Sequence, residues 1–472
     1  MSFTSLTFVA FAIAAIVLSH LSNGRAWRPW AMLALSLTFI GTVVTGWQQA
    51  LLLGGFCVII FFALVAVDGG RGRWLVLVLT IEVAVFVWLK QYRGVSDLAP
   101  LPAAVGLAGV SYILFRGIHL TVDVATGALK RQSPLAVANY LLFFPTFISG
   151  PIERFEDLEP QLMRRGSVPD EVETFSAMLR VILGCIKVTL LSTAILRQHG
   201  SALASSEQAT GAAAALFFFL AAAVYAIYLY VNFSGYMDIV VSVARLMGIR
   251  ISENFDHPFR ARSFLEFWTR WHITLSNWFR FYLFNPLLKA LAERWPVPAL
   301  MPYFGVFAFF VTFLMMGIWH GTTGMFAVYG LALGIGMGGN RLYQVLMIRW
   351  LGRREYSGLA SGRLYGAVAC GVVFAYFSSA VSCFFLDRAG ILGLQARAGF
   401  WLLPGWLCLA LGAAVILHLW QQVEDLAGAI RRHVDSASSL VHSTVLAVAL
   451  VLFIGMLIWD KSPPPVLVYK AF

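Results

Sequence analysis

Two histidines in this 472-residue chain directly follow a tryptophan: Trp271 with His272 in FWTRWHITLSNWFRFYLF (267–284), and Trp319 with His320 in MMGIWHGTTG (315–324). Imidazole, with an ordinary pKa of about 6.5, is the side chain best suited to moving protons near neutrality. His320 ends the apolar run VFAFFVTFLMMGIW, and no Asp, Glu, Lys or Arg lies within twenty residues on either side. Ionisable groups at such a depth face an interior or a cavity and are functional candidates by default. Gly317, Gly321 and Gly324 flank it, which fits a broken helix or a close backbone approach around a substrate. The competing reading is a structural histidine bonded to a neighbouring helix carbonyl.

His272 sits in a different setting. On a helical wheel at about 100° per residue, Phe267, Trp268, Trp271, Leu275, Trp278, Phe279 and Tyr282 share one arc. Glu266, Thr269, Arg270, His272, Thr274, Ser276, Asn277 and Arg280 take the other side. The expectation is one amphipathic helix with an aromatic face, lying in the headgroup layer or lining a wet cavity. Thr269, His272, Ser276 and Arg280 follow i, i+3, i+7, i+11 spacing and form one stripe. The bland alternative has Arg270 and Arg280 snorkelling to phosphates beside a satisfied interfacial histidine. The remaining histidines show no HxxxH or HExxH spacing, and no GxSxG is present. Neither a metal site nor a covalent serine intermediate is expected, and the five cysteines make no CxxC.

The elements that must position these groups are membrane helices. The chain is 60% hydrophobic and 12% charged, against roughly 45–50% and about 25% in soluble domains, and its mean hydropathy is +0.79. Apolar runs long enough or nearly long enough to span cover 6–20, 31–45, 51–67, 74–89, 101–119, 178–196, 212–233, 304–319, 325–347, 364–385, 400–419 and 445–459. Stretches 135–148, 239–247 and 267–288 read as re-entrant or interfacial. The fold class is therefore all-α: a polytopic membrane protein of about 11–13 transmembrane helices in one integral domain, 1–472. The net charge of +11 belongs to loop cations that set orientation, not to nucleic-acid binding. Arg25, Arg28, Arg71 and Arg73 mark cytoplasmic loops and place the N-terminus outside. Lys90 and Arg93 fall on the wrong side of that scheme. Arg341, Arg349, Arg353, Arg354 and Arg363 mark a further cytoplasmic loop.

Four blocks together resemble the membrane-bound O-acyltransferase family, in its bacterial alginate O-acetylation and teichoic-acid D-alanylation branch. They are FFPTFISGPIERFEDLEPQL (143–162), NFSGYMDIVVSVARLMGIRISENFDHPF (232–259), SFLEFWTRWHITLSNWFRFYLF (263–284) and GIWHG (317–321). The resemblance implies a ring of helices around a central tunnel, with an active core at 143–324. It also implies His320 and His272 as the catalytic pair. Phe281 and Asn232 stand where that branch usually has acids, which bears on substrate subtype.

The expected chemistry is acyl transfer to a hydroxyl, with His320 as general base and His272 orienting the acceptor or donating to the oxyanion. Trp271, Ser276, Asn277 and Trp319 would line the substrate path, and Arg270 and Arg280 would offer guanidinium groups to donor phosphates. No bound cofactor is expected. Acetyl-CoA or an acyl-carrier thioester is the donor on the cytoplasmic side of a bacterial inner membrane. An extracytoplasmic polysaccharide or an acyl-accepting partner protein is the acceptor. The scheme requires a water-lined approach to His320 from both faces. A proton-coupled transporter or flippase is the rival reading, though no internal repeat supports it; a non-catalytic scaffold for a polysaccharide synthase is a further one.

Overall fold

The computed structural model describes residues 5–44, 46–69, 72–92, 95–101 and 109–459. Arg71, Arg93, the 102–108 part of the 101–119 span and the sequence beyond 459 lie outside the described residues. Among the described residues the chain is helical throughout; its sole β pairing is an isolated antiparallel bridge between Phe255 and Trp271.

Seven helical stretches are long and apolar enough to cross a membrane by themselves: Trp47–Val67, Gly72–Leu89, Glu171–Gln208, Gly211–Leu246, Pro298–His320, Arg363–Phe384 and Arg388–Asp435. Two shorter apolar helices, Thr7–Ser22 and Ser439–Gly455, flank them. Further expected spans appear as helices of 16 residues, Arg28–Val43 and Val110–Ala125, each about 24 Å long at 1.5 Å per residue. The 36-residue helix Gly211–Leu246 is the central mast, buried along most of its length.

Glycines set the closest helix crossing. Met301–His320 and Gly324–Leu351 form an antiparallel hairpin that breaks at Gly321. A Cβ on Gly317 would lie 2.0 Å from the Gly330 Cα, and one on Gly330 would lie 2.4 Å from the Leu314 carbonyl. In a membrane, where lipid tails are as apolar as leucine, small residues that let backbones touch hold helices together. Gly317 therefore serves helix packing rather than a substrate contact, and a Cβ on Gly321 would meet the Phe326 ring at 2.1 Å.

Two expected loop cations are structural instead. Arg28 is fully buried and donates to the Ser19 carbonyl at 2.8 Å and the Gln161 carbonyl at 2.9 Å. Lys90 folds onto the end of the Met301–His320 helix, which explains why it breaks the orientation scheme.

Candidate active site

The expected continuous helix over 267–284 is broken at its histidine. Phe264–Arg270 is helical, started by the Ser263 hydroxyl, which accepts from the Glu266 N–H at 3.0 Å. Trp271 is extended (φ −109°, ψ 127°), and His272 takes the left-handed conformation (φ 45°, ψ 53°) before helix Ile273–Phe279 begins. The segment 254–256 forces this break by pairing like a strand. The Asp256 N–H donates to the Arg270 carbonyl at 3.0 Å, and the Ile273 N–H to the Asn254 carbonyl at 3.0 Å. A non-glycine residue at positive φ costs of order 1–3 kcal/mol and persists where its surroundings over-determine it.

Those surroundings are polar and buried. Asn254 Oδ1 accepts from the Thr274 N–H at 3.1 Å and from its hydroxyl at 2.7 Å. Thr274 Oγ1 accepts in turn from the Ile152 N–H at 3.0 Å, which ties down the loop of the 143–162 block. That loop presses on Tyr112, since a Cβ on Gly150 would meet the Tyr112 ring at 2.7 Å. The Tyr112 hydroxyl lies 3.4 Å from His272 Nε2, and the Phe233 ring of the central mast stands edge-on to the imidazole at 4.9 Å. Arg116, fully buried one turn on, holds the same loop by donating to the Tyr140, Leu141 and Thr146 carbonyls at 3.1, 2.8 and 2.5 Å.

His320 is positioned by other means. It is the last residue of its helix, where the final carbonyls lack intrahelical partners. Lys90 Nζ donates to the Trp319 carbonyl at 2.7 Å, and the Tyr92 hydroxyl reaches the Ile318 and Trp319 carbonyls at 3.1 and 3.3 Å. Burial pushes the Lys90 ammonium down to about 8; the helix C-terminus and the faces of Trp319 and Phe86, 5.4 and 5.7 Å from Nζ, receive its charge. The Trp319, Tyr329 and Phe384 rings stand 4.8, 5.5 and 5.9 Å from the imidazole.

Helix Val110–Ala125 joins the two settings. Tyr112 touches His272, and its ring lies 6.3 Å from Trp319. Phe115 packs 4.9 Å from Trp319 and 4.4 Å from Trp278, whose indole N–H donates to the Phe115 carbonyl at 2.9 Å. His272 and His320 thus come from separate segments to the two sides of one aromatic pair, Tyr112 and Trp319.

The structure separates them from most of the expected substrate contacts. Arg270 is ion-paired to Asp256 at 3.0 Å and Glu266 at 3.1 Å. Asn277 and Arg280 are exposed, on the side opposite the buried Trp278 and Phe279. The Ser276 hydroxyl turns back to the Trp271 carbonyl at 3.3 Å. Trp271 packs against Phe377, Phe255 and Phe267 with centroids at 4.8, 5.1 and 5.5 Å. Of the tryptophans, it is Trp319 that touches the His320 ring. Phe281 lies under the Arg154 guanidinium, 5.7 Å from its ring centroid. Among the described residues the expected water-lined approach does not open onto either ring, with His272 1% and His320 3% exposed.

A second cluster, His119, Asp123 and Glu156, has possible ligand atoms within 4.8 Å of one another. Its donors are already engaged. His119 Nε2 accepts from the Phe155 N–H at 3.1 Å and Nδ1 meets the Tyr282 hydroxyl at 2.5 Å; that hydroxyl lies 3.2 Å from both Asp123 oxygens, and Arg154 pairs with Glu156 at 2.6 Å. It is a hydrogen-bonded strut between helix Val110–Ala125 and Tyr282, not an open cation site.

Sequence reasoning missed Tyr112, Asn254, Thr274, Lys90 and Tyr92. Lys90 carried a signal in its violation of the charge pattern; the others are polar side chains in or beside apolar runs, and their partners are distant in sequence.

The chain matches the model of MBOAT, the membrane-bound O-acyltransferase family, over residues 30–379. It is 27% identical over 274 residues to a "Teichoic acid D-alanyltransferase" of Bacillus subtilis, covering 58% of this chain and 67% of that one. It is 33% identical over 234 residues to the protein of that name from Streptococcus thermophilus, covering 48% and 55%. A "Probable alginate O-acetylase AlgI" of Pseudomonas syringae pv. tomato is 28% identical over 356 residues, covering 68% and 64%. The chain thus spans between about half and two thirds of the length of these relatives. With its model matched across most of the sequence, and with both Trp-His pairs lying inside the matched region, this chain belongs to the membrane-bound O-acyltransferase family.

Proposed function

We propose that this protein transfers an acyl group, acetyl in the simplest case, from a thioester to a hydroxyl, with His320 as general base. The observation that supports this is that two buried imidazoles, 48 residues apart in sequence, flank one aromatic pair inside a family-matched chain: Tyr112 beside His272 and Trp319 beside His320, with those two rings 6.3 Å apart. His320 Nδ1 or Nε2 takes the hydroxyl proton while the oxygen attacks the thioester carbonyl. The C–O bond forms, the tetrahedral intermediate breaks its C–S bond, and the thiolate leaves with the proton returned by the imidazolium. The imidazolium is transient, because it gives its proton to the leaving thiolate. His272, with Tyr112 beside it, faces the developing oxyanion as donor.

Because both rings are closed off at rest, the substrates enter by displacing side chains. Phe384 is the one that moves. It is only partly buried, sits in the short turn Val381–Phe384, and its ring centroid lies 5.9 Å from that of His320. The donor, acetyl-CoA or an acyl-carrier thioester, approaches from the cytoplasmic side of a bacterial inner membrane. The acceptor is an extracytoplasmic polysaccharide, or a relay hydroxyl on a partner protein. The names of the relatives, one set acting on teichoic acid and the other on alginate, support an envelope polymer without choosing between them.

The test is label transfer by the purified protein in proteoliposomes, using thioesters labelled in the acyl group. Alkali-labile label should appear on acceptor hydroxyls, and His320→Ala should lower the rate by roughly 10²- to 10⁴-fold at unchanged reconstitution. Full transfer by His320→Ala removes the base assignment. Label that crosses the bilayer without forming an ester supports the transporter reading instead.

A further inference from the structure

One large cavity among the described residues is not lined by either histidine. It is a groove of about 1020 Å³ between helices Gly324–Leu351, Arg353–Ser361 and Arg363–Ala380, with Phe264 at its floor. That is at the upper end of ligand-site volumes. Its walls are apolar, and Ile335, Val368 and Val372 are 54%, 41% and 40% exposed, so the groove opens sideways on a face that a bilayer must cover. Two glycines leave it unfilled, because a Cβ on Gly339 or Gly358 would meet nothing within 4 Å.

Two guanidinium groups, Arg262 and Arg363, line this groove. Among the described residues neither is ion-paired to a carboxylate, in contrast to Arg260 and Arg270 on the same segment, which pair with Glu424 and Asp425, and with Asp256 and Glu266. The surrounding stretch 341–363 holds five arginines against one acid, Glu355. The Tyr343 and Tyr365 hydroxyls, 3.2 Å apart, add polar atoms to the same lining. Apolar walls, a lateral opening and two cations without a carboxylate partner in the lining match one kind of molecule: an amphiphile with a hydrocarbon tail and an anionic head.

We propose that this groove is a binding site for an anionic glycerophospholipid. The headgroup phosphate lies against Arg262 and Arg363, and an acyl chain runs along Ile335, Val368 and Val372 to Phe264 and Tyr376. A phosphate-bearing thioester such as coenzyme A would satisfy the arginines, but it leaves the apolar walls and the sideways opening without a function. The bound lipid braces the active centre from behind. The Phe264 ring stacks 5.9 Å from Phe267, which packs 5.5 Å from Trp271, the residue before His272.

The test uses the full chain in detergent and photoactivatable phospholipids of matched tails, phosphatidylglycerol against phosphatidylcholine. Phosphatidylglycerol should label peptides within 335–343 and 364–376 at least tenfold more than phosphatidylcholine does. The double variant Arg262→Gln/Arg363→Gln should abolish that preference, Gly339→Phe should block labelling by both lipids, and Arg353→Gln should leave it unchanged. Excess coenzyme A should not compete. Equal labelling by the two lipids, labelling confined to other helices, or displacement by coenzyme A would each overturn the proposal. The wild-type labelling pattern decides the matter even where a variant fails to fold.

Discussion

The two Trp-His pairs look alike in sequence and are built by opposite means. His272 is fixed by its own backbone. The chain leaves the helix at Trp271, pairs briefly with 254–256 and holds the ring in a left-handed turn pinned by Asn254 and Thr274. His320 keeps ordinary helical surroundings and is placed by the packing of its whole helix, through the Gly317 contact with Gly330 and the Lys90 and Tyr92 clamp on its last carbonyls. The first ring depends on local hydrogen bonds that a single polar substitution can remove. The second depends on a helix crossing, so its placement and the stability of the fold are harder to separate.

That contrast can be broken most severely at the crossing. Gly330→Leu drives a side chain into the Leu314 carbonyl and the Gly317 backbone, an overpacking with no room to relax. We expect a loss of more than about 4 kcal/mol, seen as little monodisperse protein on size exclusion. Normal yield and elution for that variant would show that the hairpin does not set His320. Next comes the His272 side of the comparison. Asn254→Ala leaves the Thr274 N–H and hydroxyl short of an acceptor in a buried place, which costs about 1–3 kcal/mol. Acyl transfer should fall more than thermal stability does, because the left-handed turn relaxes before the helices part. Equal losses in both would make Asn254 merely structural. The smallest effect falls on the clamp. Lys90→Met keeps the stem against Trp319 and removes the donor to its carbonyl; the lost charged hydrogen bond, about 1.5–3 kcal/mol, is largely offset because an ammonium is no longer buried. Activity should drop about tenfold with the melting temperature nearly unchanged. An unaffected rate would show that Tyr92 alone suffices.

Much of this was legible in the sequence, and the failures have physical causes. Composition alone required membrane helices, and an imidazole amid forty uncharged residues required an explanation. The helical wheel misread 267–284 because apolar periodicity continues through Trp271 and His272, while the break is imposed by backbone groups of residues 254–256. Periodicity carries no record of a strand-like pairing partner. The continuous wheel puts Ser276 and Arg280 in one stripe with His272, whereas in the fold Ser276 turns back to the Trp271 carbonyl and Arg280 is exposed. Gly317 was visible as unusual, but a glycine that admits a substrate and one that admits a neighbouring helix have the same signature. Lys90 breaches the charge rule in the sequence itself. Its destination at Trp319, 229 residues away, is a tertiary fact.

The central claim is that the two imidazoles act as one site. A double-mutant cycle on acyl transfer measures this directly, with wild type, His272→Ala, His320→Ala and the double variant reconstituted at matched density. The account predicts strong non-additivity: the double variant should be little slower than His320→Ala alone, with a coupling energy of at least about 1 kcal/mol. Losses that simply add would mean that the rings work independently, and the shared-site account would be wrong.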